Sequence, residues 1–235
     1  EERVSRAPAP AWPTGHGDVG ASLVLVFPLL LAYELGVLFS GRVNGADLVT
    51  RALWQAAGSR AAYLALHAAI ALAFLWWIRR SARWATLRLD IAGPVILEAA
   101  IYALTLGAVI TAVLDRVLGP LGHQLGLGLD GASVVGALGA GVHEELVFRL
   151  GLCGGLVALA RPLGPRLAVA AAIVASSLAF AAAHHLGAHG EAWSTHAFAF
   201  RALAGAAFAA MFWFRSLAHA VYAHVLYDVV VAATG

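Results

Sequence analysis

The chain has 235 residues, 61% of them hydrophobic and 12% charged, with a mean hydropathy of +0.82. Soluble domains carry about 25% charged residues, so this composition excludes a soluble enzyme and reads as a polytopic membrane protein. The formal net charge of +2 is spread over loops, which gives no case for nucleic acid, and the single cysteine, Cys153, excludes an intrachain disulfide or a multi-cysteine metal site.

Residues 1–19 are polar and rich in proline and glycine and read as an N-terminal arm. Residues 20–39 form the first span, interrupted by Pro28 and carrying Glu34; a crossing takes about 20 apolar residues. The span ends without a small-residue cleavage site, so it reads as a membrane helix and not as a removable leader. Asn44-Gly45 marks a turn, and Asp47 is placed to cap a short helix running to about Ala57. Leu48, Leu53 and Trp54 share one side of that helix, as in a segment lying in the interface. Residues 60–78 are a second span, closed by the aromatic pair Trp76-Trp77 and followed by Arg79, Arg80, Arg83 and Arg88. The third span, about 91–114, carries Glu98. A glycine-rich loop over 115–131 leads into an apolar run from Ala132 to Ala160, and Arg161-Pro162 to Pro165-Arg166 then breaks the chain sharply. Residues 167–184, 196–214 and 216–234 supply three more spans. The fold class expected is an all-α polytopic bundle of seven to eight transmembrane helices, with 1–19 as an arm and 20–235 as a single transmembrane domain.

Seven spans put the termini on opposite sides. Arg3, Arg6, Arg79, Arg80, Arg83, Arg88, Arg161, Arg166 and Arg215 collect on one side, and Arg42, Arg51, Arg60 and Arg116 on the other. The richer side faces the cytoplasm, which places the N-terminus there.

The chemistry lies in polar residues inside these spans. Val142 to Leu150 holds His143, Glu144, Glu145 and Arg149 within an apolar helix, where each charge costs roughly 2.5–3.5 kcal/mol on insertion scales. Glu145 and Arg149 stand four apart and can neutralise each other. Glu144 points about 100° away round the helix and is left for chemistry. The fifth span ends in Phe180-x-x-x-His184, and the seventh contains His224-x-x-x-Asp228. A carboxylate and two imidazoles can activate water with Glu144 as general base, one histidine orienting the water and the other stabilising the oxyanion. Alternatively Glu144, His184 and His224 can hold a divalent ion such as Zn²⁺ with an open position for water. Glu34, Glu98 and Arg201 read as members of buried ion-pair networks, His67 and His219 as packing residues, and His143, His185 and His189 stay unassigned. His143-Glu144 begins like a zincin helix, but Val147 stands where the second histidine belongs. There is no Gly-x-Ser-x-Gly elbow.

Glu144-Glu145-x-x-x-Arg149, Phe180-x-x-x-His184 and His224-x-x-x-Asp228, in this order and each on its own span, resemble the motif set of the CAAX-protease and bacteriocin-processing (Abi) family of intramembrane proteases. The resemblance covers about 132–235. It implies a multi-helix membrane peptidase in which Glu144 and His184 activate water, His224 and Asp228 form the oxyanion-stabilising site, and Glu145 and Arg149 support the constellation. Where the family often has asparagine this chain has Asp228, so that carboxyl group either carries a proton or orients His224. A metal-free glutamate base is favoured over a Zn²⁺ cofactor, because the helix offers no zincin pair. The implied substrate is a membrane-attached protein or peptide, and the implied setting is the bacterial cytoplasmic (inner) membrane. The rival reading is a non-catalytic transporter or scaffold with the same buried ionisable groups; the absence of an inverted repeat argues against transport.

Overall fold

The computed structural model describes residues 18–40, 48–81, 83–119, 131–186 and 191–234. The expected turn at Asn44-Gly45, the cap at Asp47 and most of the 115–131 loop lie outside these residues. Every regular element among them is helical. In chain order they are α1 (Val19–Ser40), α2 (Leu48–Ala57), α3 (Arg60–Arg80), a 3-10 turn (Arg83–Leu87), α4 (Leu89–Leu118), α5 (Gly131–Gly139), π-helical turns at Ala140–Glu144 and Leu146–Cys153, α6 (Gly154–Leu159), a 3-10 turn (Arg161–Leu163), α7 (Pro165–Ala183), α8 (Thr195–Phe214) and α9 (Leu217–Thr234).

The protein is therefore an all-helical bundle. Helices α1, α3, α4, α7 and α8 are long and apolar enough to cross a membrane, and α9 is a shorter apolar helix. Residues 131–159 run as one rod, since the joining residues Gly139, Glu145, Cys153 and Gly154 all keep right-handed helical dihedrals. The sequence reading treated this rod as an ordinary α-helix. Instead its middle widens into i→i+5 turns, which are rare and recur at functional sites. The break after it is made by Gly164 at φ 88°, a conformation that favours glycine, followed by Pro165 opening α7.

Helix α4 packs on α8 and α9, α7 on α8, and α1 on α5 and α9. The core holds Val142, Phe208, Leu217 and Val221. Helix α3 is peripheral and presents Leu64, Ile70, Leu72 and Trp76 outward, as a surface solvated by lipid can. Without a hydrophobic drive between helices in lipid, close approach depends on small residues. A Cβ on Gly141 would lie 2.8 Å from the backbone nitrogen of Val225. That contact seats the π-helical turn directly on α9, beside His224. Where Pro28 interrupts α1, Tyr222 on α9 donates to the Leu25 carbonyl at 2.9 Å, supplying a partner near the turn that proline weakens. Helix α2 folds onto α1 and α3: Thr50 donates to Glu34 at 2.8 Å and Trp54 meets the Tyr63 ring edge-on.

Candidate active site

The two adjacent glutamates separate as their spacing predicts. Glu145 and Arg149 are fully buried, with Arg149 Nε 3.0 Å from Glu145 Oε2. The guanidinium lies 4.5 Å over the Phe180 ring and 5.7 Å from that of Phe208, so aromatic faces take the place of water around a buried cation. The other oxygen of Glu145 has a task the sequence did not disclose. It accepts a hydrogen bond from His224 Nδ1 at 2.9 Å, across 79 positions of chain. With Nδ1 engaged, His224 turns Nε2 towards Asp228 Oδ2 at 3.6 Å and Glu144 Oε2 at 3.9 Å. Phe208 stacks on the imidazole with centroids 4.6 Å apart and planes 15° from parallel, which holds the ring plane.

His184 caps the end of α7. Its Nδ1 is 2.9 Å from the Phe180 carbonyl; a carbonyl only accepts, so Nδ1 donates and Nε2 is left as the free position. Nε2 stands 3.8 Å from Glu144 Oε2, and the Phe180 ring meets the imidazole edge-on. Glu144 Oε2 is buried and has no hydrogen-bond partner among the described residues. Its distances to both histidines exceed a hydrogen bond and are of the width that one bridging water spans. The structure thus brings Glu144, His184, His224 and Asp228 together, with Glu145 and Arg149 behind them.

These four line a cavity of about 760 Å³. The α4 end at Leu114 and Asp115, the α8 start at Ser194 and His196, and Arg201 with Glu191 also bound it. It therefore opens at the end of the bundle where α4 and α7 finish and α8 begins. Arg201 pairs with Glu191 at 2.5 Å; Glu191, Phe208 and Asp115 were not singled out from sequence, because only the fold brings them to the site. Glu191 also donates its backbone N–H to the His184 carbonyl at 2.8 Å.

The remaining polar residues fall elsewhere. Glu34 is held by Thr50, Tyr63 and His67 beside a second cavity of about 240 Å³, which His143 also lines. Glu98 pairs with Arg215 and accepts from Tyr102, while His219 bonds Ser216 at 2.7 Å and stands 3.5 Å from Glu98. Glu34, Glu98 and Arg201 all stand in ion-pair networks, but only that of Glu34 is buried as expected, since Arg215 and Glu191 are themselves exposed; His67 and His219 gain charged neighbours that the packing reading omitted. His185 Nδ1 donates to the Glu191 carbonyl at 3.2 Å. His189 lies outside the described residues. Among the described residues no group of three or more His, Cys, Asp or Glu side chains is arranged to hold a metal ion.

Residues 131–230 match a family model, Rce1-like, described as type II CAAX prenyl endopeptidase. The matched stretch runs from the first residue of α5 through most of α9 and contains all three motifs, in accord with the resemblance read from sequence. No curated protein and no solved structure matches the chain.

Proposed function

We propose that this chain, whose residues 131–230 match the Rce1-like family model, is an intramembrane endopeptidase that hydrolyses a peptide bond in a membrane-attached protein or peptide. The observation that carries the reading is the convergence of Glu144 Oε2, His184 Nε2 and His224 Nε2, 3.8 and 3.9 Å apart, at the wall of one cavity. A water between Glu144 and His184 donates one hydrogen bond to each. Glu144 takes the proton as the oxygen attacks the carbonyl carbon. His224, its Nδ1 already donating to Glu145, offers Nε2–H as imidazolium to the oxyanion, and Asp228 steadies that proton. The tetrahedral intermediate then collapses with cleavage of the C–N bond, and Glu144 returns its proton to the leaving amine.

In this reading the base is a carboxylate and no metal is required. The site faces the side away from the N-terminus, because the cavity mouth lies at the arginine-poor end of the bundle. Purified Glu144→Gln and Glu144→Ala proteins test the function. Each is expected to lose roughly 10²–10⁴-fold in turnover of an S-alkylated peptide while melting with the parent; turnover near the parent's would refute the proposal.

A further inference from the structure

The second cavity, of about 240 Å³, lies between α1, α2, α3 and the rod that carries Glu144. Its polar residues are engaged by the protein itself. Glu34 Oε1 accepts from Thr50 at 2.8 Å, while Oε2 accepts from Tyr63 and stands 3.2 Å from His67 Nε2. His67 Nδ1 donates to the Tyr63 carbonyl at 2.9 Å, and His143 Nδ1 to that of Gly139 at 3.1 Å. The rest of the wall is hydrocarbon, including Phe27, Leu30, Leu31, Ile70 and Leu146. Such a cavity favours an apolar guest over water.

Depth decides which guest. Ile70 stands ten residues from each end of α3 (Arg60–Arg80), about 15 Å of helix either way. The hydrocarbon core of a bilayer is about 30 Å thick, so Ile70 and Ala71 lie near its midplane. Headgroups, water and charged ligands are a full leaflet away; what the bilayer offers at this depth is the ends of its acyl chains. Ile70 is 44% exposed on α3 and also lines the cavity, which makes the cavity continuous with the lipid-facing surface. Its volume falls below the roughly 300–1,000 Å³ of ordinary ligand pockets, too small for a whole phospholipid and suited to one chain end. On the rod, His143 lines this cavity and the next residue, Glu144, lines the active one. A single π-helical turn, Ala140–Glu144, therefore stands between the two.

We infer that the second cavity is a lipid site: the end of one bilayer acyl chain enters between α1 and α3 and props the turn that carries Glu144. Filling the space restores the dispersion contacts that a void denies to its lining, on the side of the turn away from the reaction.

The site is tested by photo-crosslinking in nanodiscs of dioleoyl phosphatidylcholine. Two phosphatidylcholine probes are used, one with a diazirine at the end of an acyl chain and one with it beside the ester. The chain-end probe is expected to mark Leu30 and Leu146 in the cavity, along with Leu104, which is 66% exposed midway along α4. The ester-side probe is expected to mark none of the three. Ala71→Phe and Leu31→Phe narrow the cavity from two different helices, and each is expected to cut the marking of Leu30 and Leu146 several-fold while Leu104 keeps its own. Marking of Leu104 without Leu30 or Leu146 overturns the site on the parent protein alone, whether or not either variant folds. Equal marking by both probes, or marking undiminished in the folded variants, overturns it as well.

The propping is tested by hydrogen exchange in CHAPS, a steroid detergent with no alkyl chain to enter the cavity. Added dioleoyl phosphatidylcholine is expected to slow exchange of the 140–146 amides of the parent several-fold and to leave α7 unchanged. Ala71→Phe, filled by its own side chain, is expected to exchange slowly without lipid. Parent exchange that lipid does not alter overturns the propping. No readout here uses turnover, so these results and the peptidase proposal stand or fall separately.

Discussion

Arg149 carries a full charge with no exposed surface, and what surrounds it is one carboxylate and two aromatic faces. Removing one partner of such a pair leaves the other charged and buried, at roughly 3–5 kcal/mol. Arg149→Ala is therefore expected to melt far below the parent in detergent, while Glu144→Ala melts with it; coincident melting curves for the two variants would contradict the division of labour between the glutamates. Glu145→Gln weakens both of its tasks. The amide fits the same space but offers neither Arg149 nor His224 Nδ1 a charged acceptor, so the protein is expected to melt below the parent, and the bond to His224 alone loses about 1.5–3 kcal/mol. Turnover is expected to fall by roughly 10–100-fold with KM little changed, as kinetics on purified protein would show. The pairing of Glu145 with Arg149 was legible from a spacing of four. Its bond to His224 was not, because no local pattern connects two helices 79 residues apart.

The helices themselves were largely legible. Apolar runs marked every long span, because each must be long enough to cross a hydrocarbon layer and carry few charges. The π-helical turns were not legible, since hydropathy does not distinguish i→i+4 from i→i+5 bonding. Their seating depends on Gly141. A side chain there would press into the Val225 backbone, and overpacking of this kind costs typically 1–3 kcal/mol. Gly141→Ala is expected to lower both thermal stability and turnover. Gly93→Ala is its control: a Cβ there meets nothing within 4 Å, and the helix propensity of alanine favours the change by up to about 1 kcal/mol. A Gly141→Ala protein as stable and active as Gly93→Ala would show that the close approach to α9 is dispensable.

For the whole molecule, the arginines read from sequence divide the bundle into a rich and a poor end, and the cavity opens at the poor one. Cysteines placed at Ala192 and Trp193, both exposed, are expected to react with an impermeant maleimide in right-side-out vesicles and not in inverted ones; reaction in inverted vesicles alone would reverse the orientation. The native thiol adds little background, because Cys153 is buried. The water-activating groups need no metal in the proposed mechanism, so extensively chelated protein is expected to keep its turnover. Activity that disappears on chelation and returns with stoichiometric Zn²⁺ would replace the carboxylate base by a bound ion. Neither the side nor the base was fixed by motif spacing, since both depend on how separate helices meet.

The cavity wall contributed by Thr111, Leu114 and Asp115 on α4 lies upstream of residue 131, where the family match begins. The groups proposed to act on water are all encoded downstream. On the peptidase proposal, the α4 wall can therefore change while the groups proposed to act on water stay as they are. Grafting the α4 segment of a distant relative into this chain is expected to redirect which peptide is accepted while the rate of the bond-breaking step, measured in a single turnover, stays with the recipient.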